Sequence, residues 1–270
     1  MIPKIIHYCW FGGNPIPAKF KKYMESWKIY CPDYKIIEWN ELNYDISKNK
    51  YMYEAYKNKK WGFVPDFARV DIIYSEGGVY FDVDVELLKP IDELLELHGF
   101  MGVEASSNLV NLGLGFAAEK GNEILKAIMD DYDNRNFVKD NGELDTIPSP
   151  AINTKVLKKY GYKYSDNIQV LKNITIFPPQ YFCPMNYNSG EIKLTNNTVS
   201  IHHYAGTWQS KESHEIRKLS SKYSKKYGNI MGIKIAKLIY KLHKDGVSGA
   251  IMLFVDAIKH RIEKVKKSEL

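Results

Sequence analysis

The sequence predicts an α/β protein, a Rossmann-like mixed sheet with helices around it, followed by a C-terminal helical appendage. Three observations predict it. β-Branched and aromatic runs alternate with helix-period segments through the first third of the chain. A strand-like run, Val79 to Glu86, carries two carboxylates one residue apart, Asp82 and Asp84. The charge balance then changes sign near residue 210: residues 211–270 hold 15 Lys+Arg against 6 Asp+Glu, while residues 1–210 carry a net −3.

The elements follow in order. Lys4 to Trp10 has the composition of a buried strand. Pro15 and Pro17 open a helix in which Phe20, Tyr23 or Met24, and Trp27 keep helical spacing. Lys35 to Trp39 reads as a second strand, and Tyr51 to Asn58 as a helix. Pro65 to Glu76 forms the next helix: Phe67, Val70 and Ile73 or Tyr74 make its buried stripe, and Gly77 stops it. Asp66 and Arg69, three apart, share a face of that helix. Val79, Phe81, Val83 and Val85 then alternate with Tyr80, Asp82, Asp84 and Glu86, which places both aspartates on one face of an extended strand. Two like charges side by side repel, and a divalent cation relieves that repulsion. In an open sheet of this order ligands bind at the carboxyl ends of strands, so Trp10 and Asp84 reach the same edge. Farther on, Val110–Ala117 reads as a strand, and Asn122–Tyr132 and Pro150–Tyr160 as helices. Asp130, Asp131 and Asp133 read as a solvated helix end, and His7 as a satisfied core histidine.

Composition narrows the class. A chain of 270 residues with 44% hydrophobic and 13% aromatic content fits one large domain or a domain with an appendage. Cys9, Cys31 and Cys183 are odd in number and lack metal-ligand spacing, which points to a reducing cytoplasm. The first residues lack a signal-peptide pattern, and no run reaches the roughly 18 apolar residues of a membrane span. No glycine-rich phosphate loop is present, so metal and side chains must hold any diphosphate.

Three ordered blocks carry a family resemblance: Ile2 to Gly12; Asp66-x-x-Arg69 with Gly77-Gly78-x-Tyr80-x-Asp82-x-Asp84; and His202-His203-Tyr204-Ala205-Gly206-Thr207-Trp208. Together they resemble glycosyltransferase family 32, whose members share a DXD sugar-binding region and include bacterial capsule transferases, with the clostridial glucosylating toxins as more distant relatives. The resemblance covers about 210 residues and leaves the last 60 outside. It implies a GT-A-like nucleotide-sugar-binding fold over 1–210 and a retaining hexosyl transfer. The donor is a nucleoside diphosphate sugar, UDP-linked, and the acceptor a glycan or lipid-linked oligosaccharide in cell-surface polysaccharide synthesis. By the same resemblance Asp66 and Arg69 orient the donor sugar, Asp82 holds ribose or sugar hydroxyls, and Asp84 with His203 ligates Mn²⁺ or Mg²⁺. Thr207 and Trp208 close over the diphosphate, and Asn111 lies near the donor sugar. Trp10, at a strand end, either stacks on the nucleotide base or is a core residue.

The tail is basic and amphipathic. Met231, Ile235, Leu238 and Leu242 lie on one side of a helix and Lys234, Lys237, Lys241 and Lys244 on another; Ile251, Phe254, Ile258, Ile262 and Val265 mark a second helix. Two readings stay open for 231–267: peripheral contact with an anionic membrane, or a helical cap whose lysines are merely solvated. Aromatics do not interleave with the basic stripe, which argues against nucleic acid. A metal-dependent nucleotidyltransferase or phosphohydrolase, and a non-catalytic nucleotide-sugar-binding protein, remain as rival functions.

Overall fold

The computed structural model describes residues 1–206 and 210–247. Thr207, Trp208 and the second C-terminal helix expected at 251–265 lie outside the described residues. The chain divides into two units, Met1–Met185 with Ile192–Trp208, and Asn186–Glu191 with Gln209–Leu270.

The first unit is the α/β structure that the sequence predicts. It is built on a seven-stranded mixed sheet: β1 (Ile5–Cys9), β2 (Lys35–Trp39), β3 (Gly78–Tyr80), β5 (Gly99–Val103), β6 (Val110–Ala118), β7 (Gln169–Leu171) and β8 (Ile174–Phe177), in spatial order β2-β1-β3-β6-β5-β8-β7. β2, β1 and β3 run parallel, joined through α1 (Ala18–Tyr30), α2 (Lys50–Lys57) and α3 (Val64–Glu76); β6 returns antiparallel beside β3. A second sheet pairs β4 (Val85–Leu87) with β9 (Ser200–His202). Three parallel strands thus end in a chain segment that carries acidic residues just past the carboxyl end of β3, the edge where open α/β sheets bind ligands.

One expectation fails in an informative way. Val79–Glu86 is not a single strand. β3 stops at Tyr80, Val85 N–H donates to Asp82 C=O at 3.0 Å, and the chain re-enters β structure in the other sheet. α1 anchors the far side of that step: the Trp27 indole donates to Val85 O at 2.9 Å, and the Ser26 hydroxyl accepts from Leu87 N–H at 2.8 Å. The alternation of apolar residues therefore reports burial on both sides of a turn, not one continuous pleat.

α4 (Glu123–Asp133), capped by the Asn122 side chain, and α5 (Ser149–Lys159) pack with α3 and β6. The aspartates at the end of α4 are engaged rather than simply solvated. Asp130 pairs with Lys126, Asp131 with Lys155 at 3.0 Å and Arg135 at 3.4 Å, and Asp133 accepts from Asn49 at 2.9 Å.

His7 is a core histidine, as its sequence context suggests. Fully buried on β1, it accepts from the Trp39 indole through Nδ1 and donates through Nε2 to Gly77 O, both at 3.0 Å. Gly78 makes room for it, while Gly77 packs against Lys120 and Pro3. Both glycines have positive φ, and a Cβ on Gly78 would lie 2.9 Å from His7 Nε2 and 2.8 Å from Ile5 O.

In the second unit α7 (Lys211–Tyr227) is capped by Ser210 and ends at Gly228, and α8 spans 229–247. Among the described residues no helix is long and apolar enough to cross a membrane.

Burial drives the His7 pKa down to about 4, with the Gly77 bond opposing. The unfolded chain therefore binds more protons than the folded one between about pH 6.5 and 4, and acid weakens the fold through this group. Urea titrations at pH 7 and 4.5 are expected to show a loss of about 2 kcal/mol that His7→Gln removes. Parallel losses in both proteins would refute the assignment.

Candidate active site

The site grows from α3. Its first turn holds Asp66, and one turn on, the Arg69 guanidinium pairs with that carboxylate. Both side chains are buried, which an unpaired charge would resist by about 3–5 kcal/mol. Arg69 is accordingly surrounded by acceptors. Its Nη2 also donates to Ser149 Oγ at 2.9 Å, at the start of α5, and its Nη1 approaches Asp82 Oδ1 at 3.5 Å. Burial raises the Asp66 pKa to about 6, against the pull of Arg69 and Ser149. Burial also opposes charge on Arg69, but Asp66 and Asp82 keep it firmly protonated.

Asp82 stands at the junction. Its Oδ1 accepts from the Tyr80 hydroxyl at 3.0 Å, while its other oxygen faces β6 at Gly113. That glycine leaves room for the carboxylate where it stands: a Cβ there would sit 2.3 Å from Asp82 Oδ2. Asn111, two residues earlier on β6, accepts from Gly113 N–H and donates to Glu104 at 2.6 Å.

Asp84, on the far side of the turn, is nearly closed off from solvent. Its Oδ2 accepts from Ala205 N–H at 2.7 Å, and its Oδ1 lies 3.2 Å from His202 Nε2, which is also 3.9 Å from Asp82 Oδ2. Burial opposes charge on both partners. Their mutual attraction prevails, raising the His202 pKa and lowering that of Asp84. Asp82, Asp84 and His202 thus each present a ligand atom within 4.8 Å of the others. Two carboxylates and one imidazole form a mixed oxygen–nitrogen donor set that fits Mn²⁺ better than the all-oxygen preference of Mg²⁺. His202 Nε2 lies between the two carboxylates, which favour its protonated form, so it must give up that proton before it can ligate an ion.

His202, not His203, occupies this position, which corrects the ligand expected from the sequence. Glu86 pairs with Ile201 across the small sheet, so His203 shares the face of Glu86 and His202 takes the opposite one. The His203 imidazole bonds Glu86 at 2.7 Å and stacks on Tyr23 with centroids 3.9 Å apart; only its backbone N–H serves Asp84, donating to Asp84 O at 2.9 Å.

The structure brings Asp66, Arg69, Asp82 and Asp84 together. Trp10 lies just past the carboxyl end of β1, the parallel neighbour of β3; it is half-buried, edge-on to Phe20, and donates its indole N–H to Asn14 O. The expected roles of Thr207 and Trp208 concern residues outside the described ones. Sequence reasoning missed His202, Ser149, Tyr80 and Gly113. The tandem histidines carried half the signal for the first; Tyr80 reaches Asp82 only two residues on, while Ser149 and Gly113 are defined only by contacts across the chain.

Gly113→Ala tests the spatial requirement. Its backbone is not left-handed, so the strand tolerates alanine, and the Asp82 carboxylate must swing away. The variant is expected to keep its thermal melt within a few degrees, by order of magnitude, and to lose at least about tenfold in donor turnover. Unchanged turnover would show that Asp82 need not stand where it does.

Comparison with known proteins agrees with this geometry. Residues 17–100, which include Asp66, Arg69, Asp82 and Asp84, match the family described as a glycosyltransferase sugar-binding region containing a DXD motif. Inositol phosphoceramide mannosyltransferase 3 of Schizosaccharomyces pombe is 29% identical over 136 residues, 47% of this chain and 36% of its own length. An uncharacterized glycosyltransferase of Acanthamoeba polyphaga mimivirus is 26% identical over 213 residues, 75% of this chain and 82% of its own. Lactosylceramide 4-alpha-galactosyltransferase of Mus musculus is 25% identical over 149 residues, 51% of this chain and 39% of its own. The chain thus spans little more than a third of the length of the yeast and mouse relatives. By the matched segment and these relatives, residues 17–100 are similar to the DXD-containing sugar-binding region of glycosyltransferases.

Proposed function

We propose that the chain is a retaining hexosyltransferase that takes its sugar from a nucleoside diphosphate donor, UDP-linked, and delivers it to a glycan hydroxyl in cell-surface polysaccharide synthesis. The observation that carries this reading is the convergence of two groups of side chains on Asp82. Asp66–Arg69 approaches from α3, and Asp84–His202 from the small sheet. One cluster suits a sugar, the other a cation with a diphosphate.

In this reading Asp82, Asp84 and His202 would hold Mn²⁺ or Mg²⁺, which would supply positive charge to a departing diphosphate. Asp66 accepts hydrogen bonds from donor-sugar hydroxyls and Arg69 donates charge-assisted ones, each fixed in place by the other. Ser149 keeps Arg69 from rotating. Because these groups are already buried and oriented, they need no reorganisation as charge develops at the anomeric carbon. The acceptor hydroxyl attacks from the face that the leaving group vacates, since no side chain is placed as a covalent nucleophile in this scheme. Thr207 and Trp208 are assigned to the diphosphate, Trp10 to the base, and residues 1–210 to the catalytic domain. Two relatives are named for ceramide-borne acceptors, which supports a lipid-linked oligosaccharide as acceptor class.

A donor screen in Mn²⁺ tests the reaction. Release of UDP with a free or transferred hexose is expected, with an α-linked donor giving an α-linked product by NMR. A sugar phosphate product would instead mark cleavage between the phosphates and a nucleotidyltransferase or phosphohydrolase. A β-linked product would end the retaining assignment.

The ligand assignment has its own test. Mn²⁺ affinity by titration calorimetry is expected to fall at least about tenfold in His202→Ala and Asp84→Asn, and by less than about threefold in His203→Ala. The reverse order for the two histidines would restore the ligand read from the sequence.

A further inference from the structure

We infer that the corner between α7 and α8 is a docking surface for an anionic lipid bilayer. Residues 216–244 contain nine basic residues, eight of them lysine, and no aspartate or glutamate. That run forms two helices joined at Gly228, whose positive φ ends α7 while its N–H closes on Ser224 O.

Packing between the two helices uses none of the large apolar side chains at the corner. The buried positions are small: Ser220 and Ser224 on α7, Gly232 and Ala236 on α8. A Cβ on Gly232 would lie 2.4 Å from Ser224 N, so the helices meet there almost backbone to backbone. The stripe Met231–Ile235–Leu238–Leu242 is only partly covered, with Met231 and Leu242 exposed. Ile230 is 76% exposed, Met231 50% and Tyr227 48%. Around them stand exposed Lys222, Lys225, Lys226 and Lys234. Lys222 and Lys226 lie over the rings of Tyr223 and Tyr227 at 5.5 and 5.1 Å.

A corner with an aliphatic tip, an adjacent tyrosine and a collar of lysines matches a headgroup region: tip towards the acyl boundary, ring at the interface, ammonium groups on anionic lipid. A second copy of this chain fits poorly, because the same positive charge would meet itself. Nucleic acid fits poorly too. It offers Ile230 and Met231 no apolar partner, and the stretch carries one arginine among nine basic residues. This inference stands independently of the transfer reaction.

Vesicle co-sedimentation of the full chain tests it. With phosphatidylglycerol-containing vesicles at about 0.1 M salt, strong binding is expected, and it should weaken steeply towards about 0.5 M. Pure phosphatidylcholine vesicles should bind at least about tenfold less. The pair Ile230→Ser with Met231→Ser, which leaves the charge unchanged, is expected to lower partitioning at least about tenfold, as is Lys225→Glu with Lys226→Glu. Circular dichroism confirms that each variant is folded. The inference is overturned by absent binding to phosphatidylglycerol, by equal binding to phosphatidylcholine, or by an unaffected serine variant. Tighter binding to duplex DNA than to the vesicles at the same salt also overturns it.

Discussion

Three residues of chain, Asp82 to Asp84, carry the step from one sheet to the other, and the site depends on that step. β3 belongs to the large sheet and β4 to the small one, and the Val85 N–H to Asp82 O bond closes the turn between them. A continuous strand would have held the two carboxylates a fixed distance apart on one surface. The turn instead directs Asp82 towards Arg69 and Asp84 towards Ala205 after β9, while both carboxylates face His202. Trp27 and Ser26 hold the far end of the turn through backbone bonds to β4, which makes α1 part of the site without lining it.

Buried charge determines what can happen around that turn. Arg69, Asp66, Asp84 and His202 are all nearly inaccessible to water, and each is tolerable only because its partner is present. Losing one member leaves the other as an uncompensated charge. A substitution in this group therefore damages geometry as well as chemistry, and the affinity of an ion or donor must be measured beside stability. Such preorganisation is what transfer from a diphosphate leaving group asks of a protein.

The second unit follows a different physical logic. Among the described residues its fully buried positions are serine, glycine and alanine, while Tyr227, Ile230 and Met231 are exposed beside lysines. Surface of that kind interacts through non-directional burial and charge rather than through fixed hydrogen bonds. The first unit thus rests on fixed geometry and the second on composition.

Much of this was legible in order along the chain. The strand and helix alternation from Ile5 to Glu76, the helical pairing of Asp66 with Arg69, the strand at Val110–Ala118 and the core role of His7 follow from local periodicity and residue chemistry. These are properties of a few neighbouring residues, and the sequence records them directly. What tertiary structure alone decided was where one strand became two, which of two adjacent histidines turned inwards, and that Gly113 leaves room for the Asp82 carboxylate. Each depends on a strand or turn more than 25 residues away. Strand register flips every side chain when it slips by one, so no local pattern could have chosen His202 over His203.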